Sequence, residues 1–135
     1  MYFGLATAIR SIVAAFVLVA GATVTAQPAL LMAEEPGCIW CARWNAEVAP
    51  IYGRTGEGAA VPLRRMNVTQ PTPADVTLVR AVNFTPTFIL LQDGQELSRI
   101  EGYPGQDFFW GLLGTMLKQH DIPFELKIAT PEPQL

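Results

Sequence analysis

The chain is poor in the residues that staple small exported domains or hold metal ions. Its 135 residues include two cysteines, Cys38 and Cys41, and one histidine, His120. Structural zinc is held by four ligands, and no second cysteine pair is present to complete such a set, so we predict no metal and no other cofactor. Two cysteines three positions apart close a very short loop, which restricts the unfolded chain little. Structural stapling is therefore a weak explanation for this pair.

Positive charge is scarce as well. Nine lysines and arginines stand against twelve aspartates and glutamates, which gives a formal net charge of −3 at pH 7. The basic residues are scattered singly except for Arg64 and Arg65, which we interpret as a solvated strand end rather than a docking patch. Without a basic stripe, the sequence predicts neither nucleic-acid binding nor attachment to an anionic membrane surface.

The N-terminal apolar run is shorter than the roughly 20 residues that a membrane-spanning helix needs. Arg10 is the only charged residue near it, and the small residues Val24 and Ala26 follow it in the pattern of a signal-peptidase site. We therefore predict an export signal peptide over residues 1–26, cleaved after Ala26 or, as the second choice, after Ala22. A retained membrane anchor is the alternative.

Residues 27–128 are predicted to form one domain, followed by a flexible tail over residues 129–135. Hydrophobic periodicity and the Gly and Pro breaks predict, in order, a strand over 29–33, a helix over 39–52, a strand over 59–68, a helix over 73–80, a hairpin over 84–103 and a helix over 106–120. A strand, crossover helix and parallel strand followed by an antiparallel hairpin imply an α/β fold. The sheet is then mixed and four-stranded, with flanking helices.

Helical spacing also predicts which large side chains are buried. Trp40 and Trp44 lie four positions apart in the first helix, and we expect Trp44 in the core and Trp40 exposed beside the cysteines. In the final helix we expect a stripe of apolar residues to pack in the core, formed by Phe108, Phe109, Leu112 and Leu113.

The order of elements places the two cysteines at the start of the first helix. Cys38 is expected at the N-cap or in the first turn, where unsatisfied N–H groups and the helix dipole favour a thiolate. Cys41 follows almost one turn later, so the two sulfurs lie on the same side and can form or open a disulfide. Cys38 would attack a partner disulfide and Cys41 would resolve the mixed disulfide. The alternatives are a static disulfide and half of a zinc site.

This arrangement resembles the thioredoxin superfamily, and the stretch NFTPTFILL strengthens the resemblance. Proteins of that superfamily carry a cis-proline opposite the active-site disulfide, and the resemblance gives this role to Pro86, preceded by Thr85. It implies a thiol-disulfide oxidoreductase with Cys38 and Cys41 as catalytic residues. Thr85 and Pro86, with Trp40, would bind an extended substrate segment as an added strand. The short mature chain implies a minimal, glutaredoxin-sized version of the fold.

The flanking sequence is similar to the periplasmic thioredoxin-like proteins of bacterial sulfur-oxidation (Sox) clusters, the SoxS family. The similar segments are PGCIWCARWNAEVAPIY, PLRRMNV, NFTPTFILLQDGQELSRIEGYPG and DFFWGLLGTML. The resemblance implies a monomeric periplasmic protein that reduces the carrier cysteine of the Sox sulfur-carrier subunit. Its electrons would come from a membrane thiol transporter.

The sequence also departs from the thioredoxin pattern. No buried aspartate stands ahead of the cysteines, and Glu34 and Glu35, the nearest acidic residues, are expected in a loop, which leaves the base for Cys41 undefined. The intervening Ile39 and Trp40 provide no histidine or lysine to stabilise a Cys38 thiolate, and this favours a reductant. The alternatives are a general periplasmic reductase serving cytochrome c maturation, a thiol oxidant or isomerase, and a binding module whose disulfide never turns over.

Overall fold

The computed structural model describes residues 27–126. The predicted signal peptide over residues 1–26 and the predicted tail over residues 129–135 lie outside the described residues and stay predictions. Within the described part of the chain, no helix is long and apolar enough to cross a membrane.

Four strands and four helices follow one another along the chain. They are β1 (Ala29–Glu34), α1 (Ile39–Glu47), α2 (Ala49–Tyr52), α3 (Gly56–Ala60), β2 (Leu63–Asn67), β3 (Thr87–Gln92), β4 (Gln95–Glu101) and α4 (Gln106–Gln119). The predicted first strand, first helix start, hairpin and final helix are confirmed. The strand predicted over residues 59–68 is confirmed only from Leu63 to Asn67, because Ala59 and Ala60 belong to α3.

The strands form one mixed sheet in the order β2-β1-β3-β4. β1 and β2 are parallel, whereas β3 is antiparallel to both β1 and β4. The turn between β3 and β4 consists of Asp93 and Gly94, which both have positive φ values of 52° and 75°. This backbone matches the right-handed twist of a tight hairpin and is the reason why an Asp-Gly pair predicts one. The predicted mixed four-stranded sheet is confirmed.

One face of the sheet carries α1 and α4 over an aromatic core. The ring centroids of Trp44 and Phe88 lie 5.2 Å apart, and Phe109 lies 4.8 Å from Phe88 and 5.7 Å from Trp44. All three side chains are fully buried. The prediction that Trp44 belongs to the core is confirmed, and the packing fixes α1, with its cysteines, against the sheet.

The opposite face is smaller, aliphatic and covered without a helix. Its buried residues are Leu31, Ala33, Met66, Val76, Ile89 and Leu91. The helix predicted over residues 73–80 is wrong, because this segment is irregular: it begins with a turn and then pairs through Thr77 with the turn of the hairpin. Thr77 donates its N–H to the carbonyl of Gly94 at 2.8 Å and accepts from the N–H of Glu96 at 3.0 Å. Sheet-like bonds outside the segment thus replace helical bonds within it.

The helix predicted over residues 39–52 is interrupted. α1 ends at Glu47 with Val48 as its C-cap, and Pro50, which has no N–H to donate, lies in the first turn of α2. The following residues, Gly53 to Gly58, were not predicted as helix, but α3 begins among them at Gly56. Thr55 caps α3 by accepting the N–H of Gly58 at 3.0 Å.

In the final helix, only two of the four apolar residues expected in the core are buried. Phe109 and Leu113 are fully buried, whereas Phe108 is 71% exposed and Leu112 is partly exposed. The expectation that Phe108 and Leu112 pack in the core is therefore wrong. A single helix packed on a sheet contacts it along one stripe, and these two residues lie outside that stripe.

Candidate redox site

Cys38 is the N-cap residue of α1, as expected. A turn through Gly37, which has a positive φ of 81°, brings the chain into the helix. The sulfur of Cys38 accepts the N–H of Cys41 at 3.1 Å and thereby satisfies one of the free donors of the first turn. The same N-terminal donors would stabilise a thiolate on Cys38 after reduction.

The two cysteines form a disulfide, and their Cα atoms are 5.3 Å apart. Cys41 is buried, whereas Cys38 is partly exposed. Only the Cys38 sulfur is therefore open to an incoming thiol or disulfide from solvent. This asymmetry is the one that the sequence predicts for an attacking and a resolving cysteine.

The Thr85-Pro86 peptide bond is cis, in agreement with the prediction. The Thr85 hydroxyl donates to the Glu35 carboxylate at 2.8 Å, and the Glu35 carbonyl accepts the N–H of Cys38 at 3.3 Å. The N–H of Gly102 donates to the carbonyl of Pro86 at 2.7 Å. The loop that contains Thr85 and Pro86 is thus hydrogen-bonded on one side to the turn before Cys38 and on the other to the end of β4.

A cavity of about 430 Å³ lies between α1 and this loop. Its lining residues are Trp40, Phe84, Thr85, Glu101, Gly102 and Tyr103. Trp40 is 51% exposed and Phe84 is 60% exposed, so both rings present apolar surface to solvent. The structure therefore brings together the predicted residues Trp40 and Thr85, with Pro86 next in the chain, and confirms that Trp40 is exposed.

The sequence analysis missed Tyr103, which lines this cavity, and the two α1 residues that connect it to Trp40, Glu47 and Arg43. The Tyr103 hydroxyl donates to Glu47 at 2.6 Å, Arg43 donates to the other oxygen of Glu47 at 2.9 Å, and the Arg43 guanidinium lies 5.8 Å from the centre of the Trp40 ring. Arg43 and Glu47 are four positions apart on α1, a spacing that could have indicated their ion pair. Nothing in the sequence links Tyr103 to them.

Electrostatics around these residues favour the observed protonation states. The hydrogen bond from Tyr103, together with that from Arg43, lowers the pKa of Glu47. Burial, together with the hydrogen bond to Glu47, raises the pKa of Tyr103 to about 12. At neutral pH Glu47 is therefore an anion, and Tyr103 keeps the proton that it donates.

The acidic residues near the cysteines are both engaged elsewhere. Glu34 is the last residue of β1 rather than a loop residue, and it accepts from Arg65 at 2.9 Å. Arg65 also donates to Asn45 at 2.8 Å, so this exposed strand residue belongs to a polar cluster with Glu34 and Asn45. Glu35 lies in the turn and accepts from Thr85. Among the hydrogen bonds of residues 27–126, neither carboxylate contacts Cys41.

Within the same residues, no group of three or more histidine, cysteine, aspartate or glutamate side chains is arranged to hold a metal ion.

The chain is similar in sequence and in fold to known proteins. The sequence model of the thioredoxin-like domain family matches residues 19–117. The crystal structure of the reduced periplasmic thioredoxin SoxS from Paracoccus pantotrophus is 49% identical, with a TM-score of 0.67, and the match covers 69% of this chain and 98% of that one. Thioredoxin from Fasciola hepatica is 19% identical, with a TM-score of 0.50, over 67% of this chain and 82% of that one. None of the curated proteins compared with this chain matches it.

Proposed function

Because the chain belongs to the thioredoxin-like family, whose redox-active CxxC pair is here Cys38 and Cys41, we propose that it reduces the carrier cysteine of a Sox sulfur-carrier protein in the periplasm. The observation that carries the proposal is the site itself: a partly exposed Cys38 at a helix N-terminus, bonded to a buried Cys41 beside an apolar groove. The 49% identity to a periplasmic SoxS supports the choice of partner.

The reaction exchanges two electrons between two sulfur pairs. The Cys38 thiolate attacks one sulfur of the partner's disulfide, and a mixed disulfide forms as the other partner sulfur leaves as a thiolate. Cys41, after losing its proton, then attacks the Cys38 sulfur. The partner is released with its second sulfur reduced, and the Cys38–Cys41 disulfide is formed, so the protein is oxidised by the two electrons that the partner gains.

The groove beside Cys38 provides the binding site for the partner. Trp40, the second residue after Cys38, supplies an apolar surface to this groove, and Thr85 lines it from the loop that continues into Pro86. An extended segment of the partner pairs with the backbone of Thr85 as an added strand. A membrane thiol transporter then supplies the two electrons that reduce the Cys38–Cys41 disulfide again. The signal peptide over residues 1–26 is cleaved after Ala26, and the exported domain is a monomer.

The partner can be identified by trapping the mixed disulfide. Replacement of Cys41 by Ser removes the resolving thiol, so Cys38 should remain covalently bound to its partner in periplasmic extracts. A matched Cys38→Ser variant should capture nothing, because it lacks the attacking sulfur.

Recovery of the Sox sulfur carrier with Cys41→Ser, and not with Cys38→Ser, would support the proposal. Capture of cytochrome c maturation proteins alone would contradict the Sox assignment while leaving the reductase chemistry intact. Equal capture by both variants would show that the bound proteins do not depend on Cys38.

A further inference from the structure

Hydrogen bonds connect the chain segments that surround the groove beside the disulfide. On one side, Glu35 joins Cys38 to Thr85 through its carbonyl and its carboxylate. On the far side, the carbonyl of Pro86 joins the loop to Gly102, the residue before Tyr103. The three segments that line the cavity are therefore connected to one another by short polar contacts.

Tyr103 completes this series by returning to α1. Its side chain is buried, and its hydroxyl crosses from the loop between β4 and α4 to Glu47 on α1. Glu47 in turn holds Arg43, whose guanidinium lies over the Trp40 ring. The contacts thus run from Tyr103 through Glu47 and Arg43 to Trp40, the half-exposed aromatic residue between the two cysteines.

The contact with Arg43 restrains Trp40, whose side chain is only half buried. Its side chain projects from the first turn of α1 and is half exposed, so several rotamers are open to it in the absence of a neighbour. Contact with a cation on one face of the ring restrains the rotamer and leaves the other face free. The ring then stands as a fixed wall of the cavity, with Phe84 and Tyr103 as the other aromatic surfaces.

The lining of the cavity indicates what kind of side chain it accepts. Its lining includes three aromatic rings and Gly102, and its carboxylate, Glu101, is already paired with Arg80. A cavity of this composition accepts an apolar or aromatic side chain and leaves no free charge to bind a cation.

We propose that Tyr103, acting through Glu47 and Arg43, positions Trp40 so that the groove selects protein disulfides in which an apolar or aromatic residue flanks the attacked cysteine. Tyr103 is in this account a positioning residue and takes no part in electron transfer. The proposal rests on the proposed function only in taking a protein disulfide as substrate, and it is independent of which protein provides that disulfide.

The test compares two disulfide-bonded peptides that differ only in the residue after the reactive cysteine, Phe in one and Ser in the other. The full exported domain, reduced and recycled with dithiothreitol, is assayed for kcat and KM with each peptide. The wild type should prefer the Phe peptide through a lower KM. In Tyr103→Phe, which loses only the hydroxyl, this preference should fall by about threefold or more, a coupling typical of residues in one hydrogen-bond network.

Tyr52→Phe is the matched control. Its hydroxyl is also buried and donates a bond of 2.7 Å, but to the carbonyl of Val61, away from the groove. This variant should keep the wild-type preference even if it lowers stability. Glu47→Gln, as a second variant at the centre of the contacts, should weaken the preference as Tyr103→Phe does.

Equal KM values for the two peptides in the wild type would overturn the proposal, and so would the same loss of preference in Tyr52→Phe as in Tyr103→Phe. A shifted reduction potential in Tyr103→Phe would also contradict it, because a positioning role leaves the sulfur chemistry unchanged. Failure of the proposed function looks different, since the wild type would then reduce neither peptide, or Cys41→Ser would not capture the Sox carrier.

Discussion

The two faces of the sheet are held by different physical means, although both are buried. On the face that carries the cysteines, two helices pack through interlocked aromatic rings around Trp44 and Phe109. On the other face, the irregular segment over residues 73–82 covers a smaller aliphatic cluster and is attached to β4 and the hairpin turn largely by hydrogen bonds. The first face places Cys38 and Cys41, and the second leads into the loop with Thr85 and Pro86. The groove therefore lies between α1, which is positioned by aromatic packing, and the loop with Thr85 and Pro86, which is positioned largely by hydrogen bonds.

The polar attachment is centred on a buried ion pair in β4. Glu96 and Arg99 have side chains that are 2% and 6% exposed, and Arg99 donates to Glu96 at 2.7 Å. Arg99 also donates to the carbonyls of Ala81 and Arg80, and Glu96 accepts the N–H of Val79 at 2.8 Å. This one ion pair therefore forms hydrogen bonds with three backbone groups of residues 79–81.

The largest expected effect tests the packed face. Phe109→Ala should lower the free energy of unfolding by about 4 kcal/mol, since it removes a fully buried ring and its aromatic contacts. Leu91→Ala on the other face should cost less, about 2 to 3 kcal/mol, because the irregular segment above it can relax into the space. Urea unfolding followed by circular dichroism measures both, and equal losses would remove the contrast between the faces.

A somewhat smaller effect tests the polar face. Arg99→Met should lower the free energy of unfolding by about 3 kcal/mol, because it leaves the buried Glu96 carboxylate without its cation. Arg64→Met is the control, since it removes a more exposed ion pair with Asp75 and should have little effect. If the two variants unfold at the same urea concentration, the buried pair does not hold the segment.

The third effect concerns the pH dependence of this pair. Burial alone would raise the pKa of Glu96, but the hydrogen bonds from Arg99 and from the Val79 N–H outweigh it and lower the pKa. A carboxylate with a lowered pKa in the folded state contributes stability above its unfolded pKa of about 4.3, and this contribution is lost as the pH falls through the folded value.

In Glu96→Gln this part of the acid-induced loss should be absent. Urea unfolding of the variant and the wild type at pH 7 and at about pH 3 should therefore show a smaller decrease for the variant. An identical decrease in both proteins would show that Glu96 has the same pKa folded and unfolded.

The smallest expected effect distinguishes the two apolar rows of α4. Phe108→Ser should change the free energy of unfolding by no more than about 0.5 kcal/mol, because the ring is 71% exposed. Its neighbour Phe109 provides the contrast within one helix. A loss at Phe108 close to that at Phe109 would mean that the outer row is covered in solution.

The packed face was largely predictable from the sequence, and the polar face was not. Apolar runs define β1 and β3, Asp93-Gly94 defines the hairpin, and helical spacing identifies Trp44 as core. The segment over the other face was misassigned because bonds to Gly94 and Glu96, distant in sequence, decide its conformation. Such tertiary contacts override local propensity and leave little trace in a short window of sequence.

The residues of the site also differ in how far the sequence predicts their positions. Cys38, Cys41 and the cis bond before Pro86 follow from short motifs, so their positions could be predicted. The link from Tyr103 to Glu47 spans 56 positions and joins a loop to a helix, so no motif reveals it. The chemistry of the site was therefore accessible from sequence, whereas the shape of its groove required the folded chain.

The most direct test of the account is the equilibrium reduction potential of the Cys38–Cys41 pair, measured by thiol trapping in graded redox buffers. A reductase without a histidine or lysine between its cysteines should have a potential near that of thioredoxin, about −270 mV. A value near about −120 mV, typical of the strong oxidant DsbA, would contradict the account, since the protein would then oxidise its partners rather than reduce them.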